Sequence, residues 1–127
     1  KKEKKGAQTC RSTTKIGGLQ VASVLDGNDV IAACRDTGGS GYLVEDEFVY
    51  EVQALLARQE GIFCEPAAAV SLAGILQAAA ERKITSKETV VCVITGSGFK
   101  DQGSVDRMLA GTTSPVISLT EFIDQTA

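Results

Sequence analysis

The hydrophobic and polar positions of the chain fall into segments of different period, and each period predicts a different element. Positions Phe48, Val52, Leu55, Leu56 and Gln59 share one face at helical spacing. Glu45, Asp46 and Glu47 lie at the start of this segment, Arg58 in its last turn and Gly61 after it. Acids at the start and a base at the end complement a helix dipole, so the segment predicts an amphipathic surface helix. Pro66 then occupies a place where a first helical residue needs no N–H, and a second helix is predicted from there to about Lys83. From Ala67 to Ala80 this helix has almost no polar face, which predicts burial against close neighbours. The run Thr89 to Thr95 is unbroken and β-branched, the pattern of a central parallel strand covered on both faces.

The flanks read less regularly. Leu19 to Leu25 and Val30 to Cys34 predict two short helical pieces parted by Asp26, Gly27, Asn28 and Asp29, the second closed by a glycine cap at Gly38 and Gly39. Tyr42 to Val44 predicts a short strand, Val105 to Leu109 a short helix, and Val116 with Ile117 another strand. A last helix opens on a capping box, Ser118 with Glu121. The predicted fold class is α/β, a partial three-layer sandwich with a small, mostly parallel sheet flanked by helices. Residues 1–18, lysine-rich and then polar, are expected as a loose lead-in, and residues 19–127 as the ordered domain.

Composition narrows the function classes. The 127 residues suffice for one domain, and 43% hydrophobic with 23% charged residues is an ordinary globular balance. The net charge is −3, the only dense basic run is Lys1 to Lys5, and aromatics make up 5% with no tryptophan. Such a surface predicts no nucleic-acid partner. Cys10, Cys34, Cys64 and Cys92 form no CxxC pair and the chain has no histidine, which disfavours a zinc site. Cys34 and Cys92 lie in apolar segments, where a reduced thiol acts as a small buried hydrophobe. No apolar stretch approaches the roughly 18 residues of a membrane span, and no signal segment is evident, so a cytoplasmic protein is expected.

Candidate chemistry concentrates after the long apolar run. Thr95, Gly96, Ser97 and Gly98 follow it directly, at the strand end where open α/β sheets place ligands, and could equally form a structural turn. Thr37 to Gly41 is glycine-rich too, but it follows a helix and precedes a strand, so a cap and turn is the better reading than a phosphate cradle. Glu65 precedes Pro66 at a helix start, where a carboxylate suits the dipole; glutamate is not a preferred cap, so a further role stays open. Lys100 and Asp101 read as solvated charges. Without a histidine, and with no serine beside a base, a self-contained hydrolase is disfavoured.

Two stretches carry a resemblance to a known family: Leu55 to Gly74, with Glu60-Gly61-Ile62-Phe63-Cys64-Glu65-Pro66 at its centre, and Glu88 to Asp101, with Thr95-Gly96-Ser97-Gly98-Phe99-Lys100 at its end. In this order they resemble the carboxy-terminal region of threonine synthase and its fold-type II pyridoxal-phosphate relatives, the tryptophan synthase beta-like family. Weaker similarity runs from about Ser12 through the last helix. The resemblance implies that residues 19–127 are the C-terminal part of a pyridoxal-phosphate-binding α/β domain. It implies that the Thr95 hydroxyl faces the pyridine nitrogen of the cofactor, with Gly96, Ser97 and Gly98 as the adjoining wall. A neutral hydroxyl does not hold that nitrogen protonated, which would tune the electron sink toward elimination and replacement. Glu65 would stand beside the substrate cleft. Ser97 takes the place of a histidine common in this loop, and Ala67 follows the variant without a serine hydroxyl.

The family's Schiff-base lysine and phosphate loop precede the region that matches, and none of Lys15, Lys83, Lys87 or Lys100 sits in the lysine motif. The expected function is therefore that of a C-terminal fragment of a threonine-synthase-like lyase, which converts O-phosphohomoserine and water to threonine and phosphate. The fragment is expected to be inactive alone, with the N-terminal half of the enzyme and an amino-acid substrate as its partners, and a homo-oligomer possible. A related Ser/Thr dehydratase, or a non-catalytic ligand-binding or structural α/β module, are the other readings.

Overall fold

The computed structural model describes residues 6–126, so the basic run at residues 1–5 and residue 127 lie outside the described residues. Its centre is a pair of packed helices. The acids Asp46 and Glu47 open one of them, Asp46–Leu55, which continues through a π-helical turn, Leu56–Glu60, to Gly61. The other, Pro66–Ala80, begins on its proline. In chain order the helices are α1 (Gly27–Thr37), α2 (Asp46–Leu55), α3 (Pro66–Ala80), α4 (Gln102–Met108) and α5 (Leu119–Thr126). Gly38 and Gly61 end α1 and the turn after α2 in the left-handed conformation, at φ of 70° and 68°, which costs glycine nothing for want of a Cβ.

α3 is buried along one face and not all round as its composition predicts, since Val70, Leu72 and Ile75 are half-buried and Leu76, Ala79 and Ala80 are exposed. Pro66, Ala68, Ala69, Ala73, Gly74 and Ala78 are its buried residues, and their small size lets α2 and the 3-10 turn Gly17–Leu19 approach closely. The core joins Ile16, Val49, Val52, Leu56, Cys64, Ala68, Ala69 and Ala73. Ile16 comes from within the segment expected as a lead-in, which is held to the start of α2. The Thr14 hydroxyl donates to one oxygen of Asp46 at 2.5 Å and the Lys15 N–H to the other at 2.6 Å. These donors, the hydroxyl first, hold the Asp46 carboxyl below its ordinary pKa.

Several expectations change. The buried face of α2 and of the π-helical turn after it is Val49, Val52, Gln53 and Leu56, whereas Leu55 is 45% exposed and Gln59 is exposed. The face turns toward Gln53 because that amide finds its hydrogen-bond partners inside the protein. α3 ends at Ala80 instead of Lys83, where Arg82 adopts φ 57° and the Lys83 N–H returns to the Ala78 carbonyl. The stretch after Leu19 is not helical, and Val24 and Leu25 are exposed. Cys34 and Cys92 are half-buried; the buried thiol is Cys64.

The expected sheet is also absent among the described residues: Tyr42 to Val44, Thr89 to Thr95 and Val116 with Ile117 form no ladder. The β-type pairing recorded is an isolated antiparallel bridge, Cys64 with Ser97. A strand exists through its neighbours. With no ladder partner among these residues, Val91 and Val93 are 83% and 67% exposed and Leu43 is 95% exposed. The last helix forms as predicted, with the Ser118 N–H on the Glu121 carboxylate at 2.6 Å and the Glu121 N–H on the Ser118 hydroxyl at 3.3 Å. No helix among the described residues is long and apolar enough to cross a membrane.

Candidate functional site

The bridge brings together the two segments that sequence reasoning marked separately. Pro66 disfavours helical backbone in the residue before it, and Glu65 is accordingly extended, at φ −74° and ψ 158°. An extended link can pair along its edge. The Glu65 N–H donates to the Gly96 carbonyl and the Gly98 N–H to the Phe63 carbonyl, each at 3.1 Å. The loop Thr95 to Gly98 is thus fastened to the residues that open α3.

Both glycines of the loop are closely approached by side chains of the link. A Cβ on Gly96 would lie 1.9 Å from Glu65 Oε1, and one on Gly98 would lie 2.6 Å from the Phe63 ring. The bare sides of the glycines therefore face the link, so Thr95 and Ser97, both exposed, supply the open side of the loop. Phe99 packs edge-on against Phe63, with ring centroids 5.0 Å apart. The Ser97 hydroxyl accepts from the Phe99 N–H at 3.5 Å and caps the 3-10 turn Gly98–Lys100. Asp101 then caps α4, accepting from the Ser104 N–H at 2.8 Å.

Glu65 makes no side-chain cap bond to α3. Its carboxylate instead lies over Gly96, with Lys100 Nζ 4.0 Å away. The lysine side chain is 64% exposed, so the pair contributes little to stability. Thr37 to Gly41 forms the end of α1 and the coil after it, as the cap reading predicts.

Sequence reasoning missed Gln53 and Ser104. Gln53 is 1% exposed, and its Nε2 donates to the Cys64 carbonyl at 2.8 Å and to the Ser104 hydroxyl at 3.0 Å. The available signal was a polar residue within the helical spacing of Val49, Val52 and Leu56. Burial pushes the Cys64 thiol pKa up. A cleft of about 220 Å³ lies between α2 and α4, lined in part by Tyr50, Gln53, Arg58, Ser104 and Arg107. Arg107 stacks on Tyr50 and pairs with Glu47. Another cleft, of about 660 Å³, is lined in part by Thr14, Tyr42, Asp46 and Val70; neither includes Glu65 or Thr95 to Gly98.

The profile of the family described as pyridoxal-phosphate dependent enzyme matches residues 1–96, which include Glu65, Thr95 and Gly96. Among similar proteins, a threonine synthase of Methanocaldococcus jannaschii is 38% identical over 89 residues, 70% of this chain and 22% of that protein. One from Synechocystis sp. is 36% identical over 98 residues, 73% of this chain and 25% of that protein. One from Bacillus sp. is 35% identical over 107 residues, 84% of this chain and 30% of that protein. The matched part of the chain thus spans less than a third of the length of these curated relatives.

Proposed function

Because the chain belongs to the pyridoxal-phosphate dependent enzyme family, we propose that it supplies one wall of the cofactor site of a threonine-synthase-type enzyme. In that enzyme residues 19–127 are the C-terminal part of the pyridoxal-phosphate domain, and Thr89 to Thr95 is a strand of its parallel sheet. The whole enzyme converts O-phosphohomoserine and water to threonine and phosphate. The observation that carries this reading is the bridge that sets Thr95 to Gly98 against Glu65 at the head of α3.

The residues present suit a flat, neutral heteroaromatic ring. Thr95 and Ser97 are exposed hydroxyl residues on a loop whose glycines pack tightly behind it. The Thr95 hydroxyl would donate to the ring nitrogen and, being neutral, would not hold that nitrogen protonated. Ser97 and the backbone of Gly96 and Gly98 form the adjoining wall, and Glu65 borders the substrate cleft. When bound, the cofactor supplies an electron sink for charge developing on substrate carbons. The lysine that holds it and its phosphate cradle belong to the N-terminal half of the enzyme, so this chain alone is inactive.

The test is a pyridoxal-phosphate titration of the purified chain, followed by borohydride reduction and mass spectrometry of any modified lysine. The expected result is no stoichiometric adduct. Stoichiometric labelling of a single lysine would overturn the reading of an incomplete site.

A further inference from the structure

The link that carries the loop has two edges. On one, the Phe63 carbonyl and the Glu65 N–H pair with Gly98 and Gly96. On the other, the Cys64 carbonyl accepts from the side-chain amide of Gln53. This alternation is that of a β-strand, with a glutamine side chain standing where a third strand would be. The second hydrogen of the same amide goes to the Ser104 hydroxyl, and that hydroxyl donates to the Asp101 carbonyl at 3.0 Å. Asp101 ends the 3-10 turn that follows the loop and caps α4. One buried amide therefore connects the link on which the loop hangs with the helix into which it runs.

We propose that Gln53 is the positioning residue of the Thr95 to Gly98 wall, setting the loop's register against Glu65 through Cys64 and Ser104. Its catalytic meaning rests on the reading of that loop as the cofactor wall. An apolar side chain of similar length fills the same space but donates to neither partner. The Cys64 carbonyl then loses its buried partner, and the bridge opens more readily than the rest of the core.

The experiment is residue-resolved amide hydrogen exchange on the full chain, comparing wild type with Gln53→Met and Ser104→Ala. In Gln53→Met the Glu65 and Gly98 amides should exchange roughly tenfold faster, the cost of an unmade buried hydrogen bond, while Ala73 within α3 keeps its rate. Ser104→Ala retains the Cys64 contact and should accelerate Gly98 more than Glu65. Unchanged exchange at Glu65 and Gly98 in Gln53→Met would overturn the proposal, and so would an equal acceleration at Ala73, the mark of general destabilisation. If Gln53→Met does not fold, Ser104→Ala decides by the same comparison of Gly98 with Ala73. No cofactor enters the measurement, so failure of the Gln53 role and failure of the proposed function are separate results.

Discussion

Replacing Gly96 by alanine tests whether the approach of the loop to Glu65 is a real constraint. The added Cβ would stand 1.9 Å from Glu65 Oε1, 2.4 Å from Cδ and 3.0 Å from Cγ, so the carboxylate and the loop cannot both keep their places. One escape is rotation of Glu65, which gives up its weak contact with Lys100. The other is retreat of the loop, which breaks the Glu65–Gly96 and Gly98–Phe63 backbone bonds, each worth about 1 kcal/mol. Overpacking of this kind costs about 1–3 kcal/mol. Gly96 is not in the left-handed region, so alanine also recovers about 0.4–1 kcal/mol by restricting the unfolded chain. Rotation of Glu65 gives up only the Lys100 contact, so the net expectation is a loss of at most about 1 kcal/mol, below the cost of an obstacle that cannot move, read from urea unfolding midpoints at constant slope. Removing the obstacle with Glu65→Ala should make Gly96→Ala neutral or slightly stabilising, a coupling of at most about 1 kcal/mol. An equal penalty for Gly96→Ala with and without the Glu65 side chain would refute the close approach.

Two further outcomes follow from the titrating groups. The Thr14 hydroxyl and then the Lys15 N–H depress the Asp46 pKa, so their contribution to stability is present above the ordinary aspartate value and is lost as pH falls through the lowered one. Thr14→Val should raise the Asp46 midpoint in a carboxyl-carbon NMR titration and flatten the acid-side fall in stability; an unmoved midpoint would sink this account. Burial raises the Cys64 pKa while Cys10 is exposed, and the thiolate is the reactive form. A disulfide reagent should therefore modify Cys10 early and Cys64 only on unfolding, with mass spectrometry of the labelled peptides to check the order. Labelling of Cys64 in the folded chain as fast as Cys10 would contradict its burial.

The parts of the fold legible in the sequence are those decided by near neighbours. Acids ahead of Phe48, proline at the head of α3, glycine after Arg58 and the Ser118–Glu121 box each act within a turn or two, and the helices they mark are present. The face of α2 was harder to read, because patterning assigns a glutamine to solvent unless its partners are known, and the partners of Gln53 lie in the link before α3 and in α4. The site was legible in pieces. Glu65 stood out by its proline and Thr95 to Gly98 by the apolar run before it, but their junction depends on contacts that no local pattern records. The glycines also have a different immediate use from the one their pattern suggests, since both give their missing Cβ to Glu65 and Phe63.

The disagreement over strands has a physical meaning of its own. A β-branched run such as Thr89 to Thr95 is suited to burial on both faces, yet Val91 and Val93 are mostly exposed, while Cys92 and Ile94 are half-buried. The run therefore contacts protein on alternate residues and lacks both ladder partners and a second covering layer among the described residues. At about 25 cal/mol per Å², burying those valines would be favourable. On the proposed reading, the strands and helices that do so belong to the N-terminal half of the enzyme. On that reading the exposed valines and the fastened loop share one origin: the helices hold the loop in this chain, and the rest of the enzyme would complete a sheet along the run that leads into it.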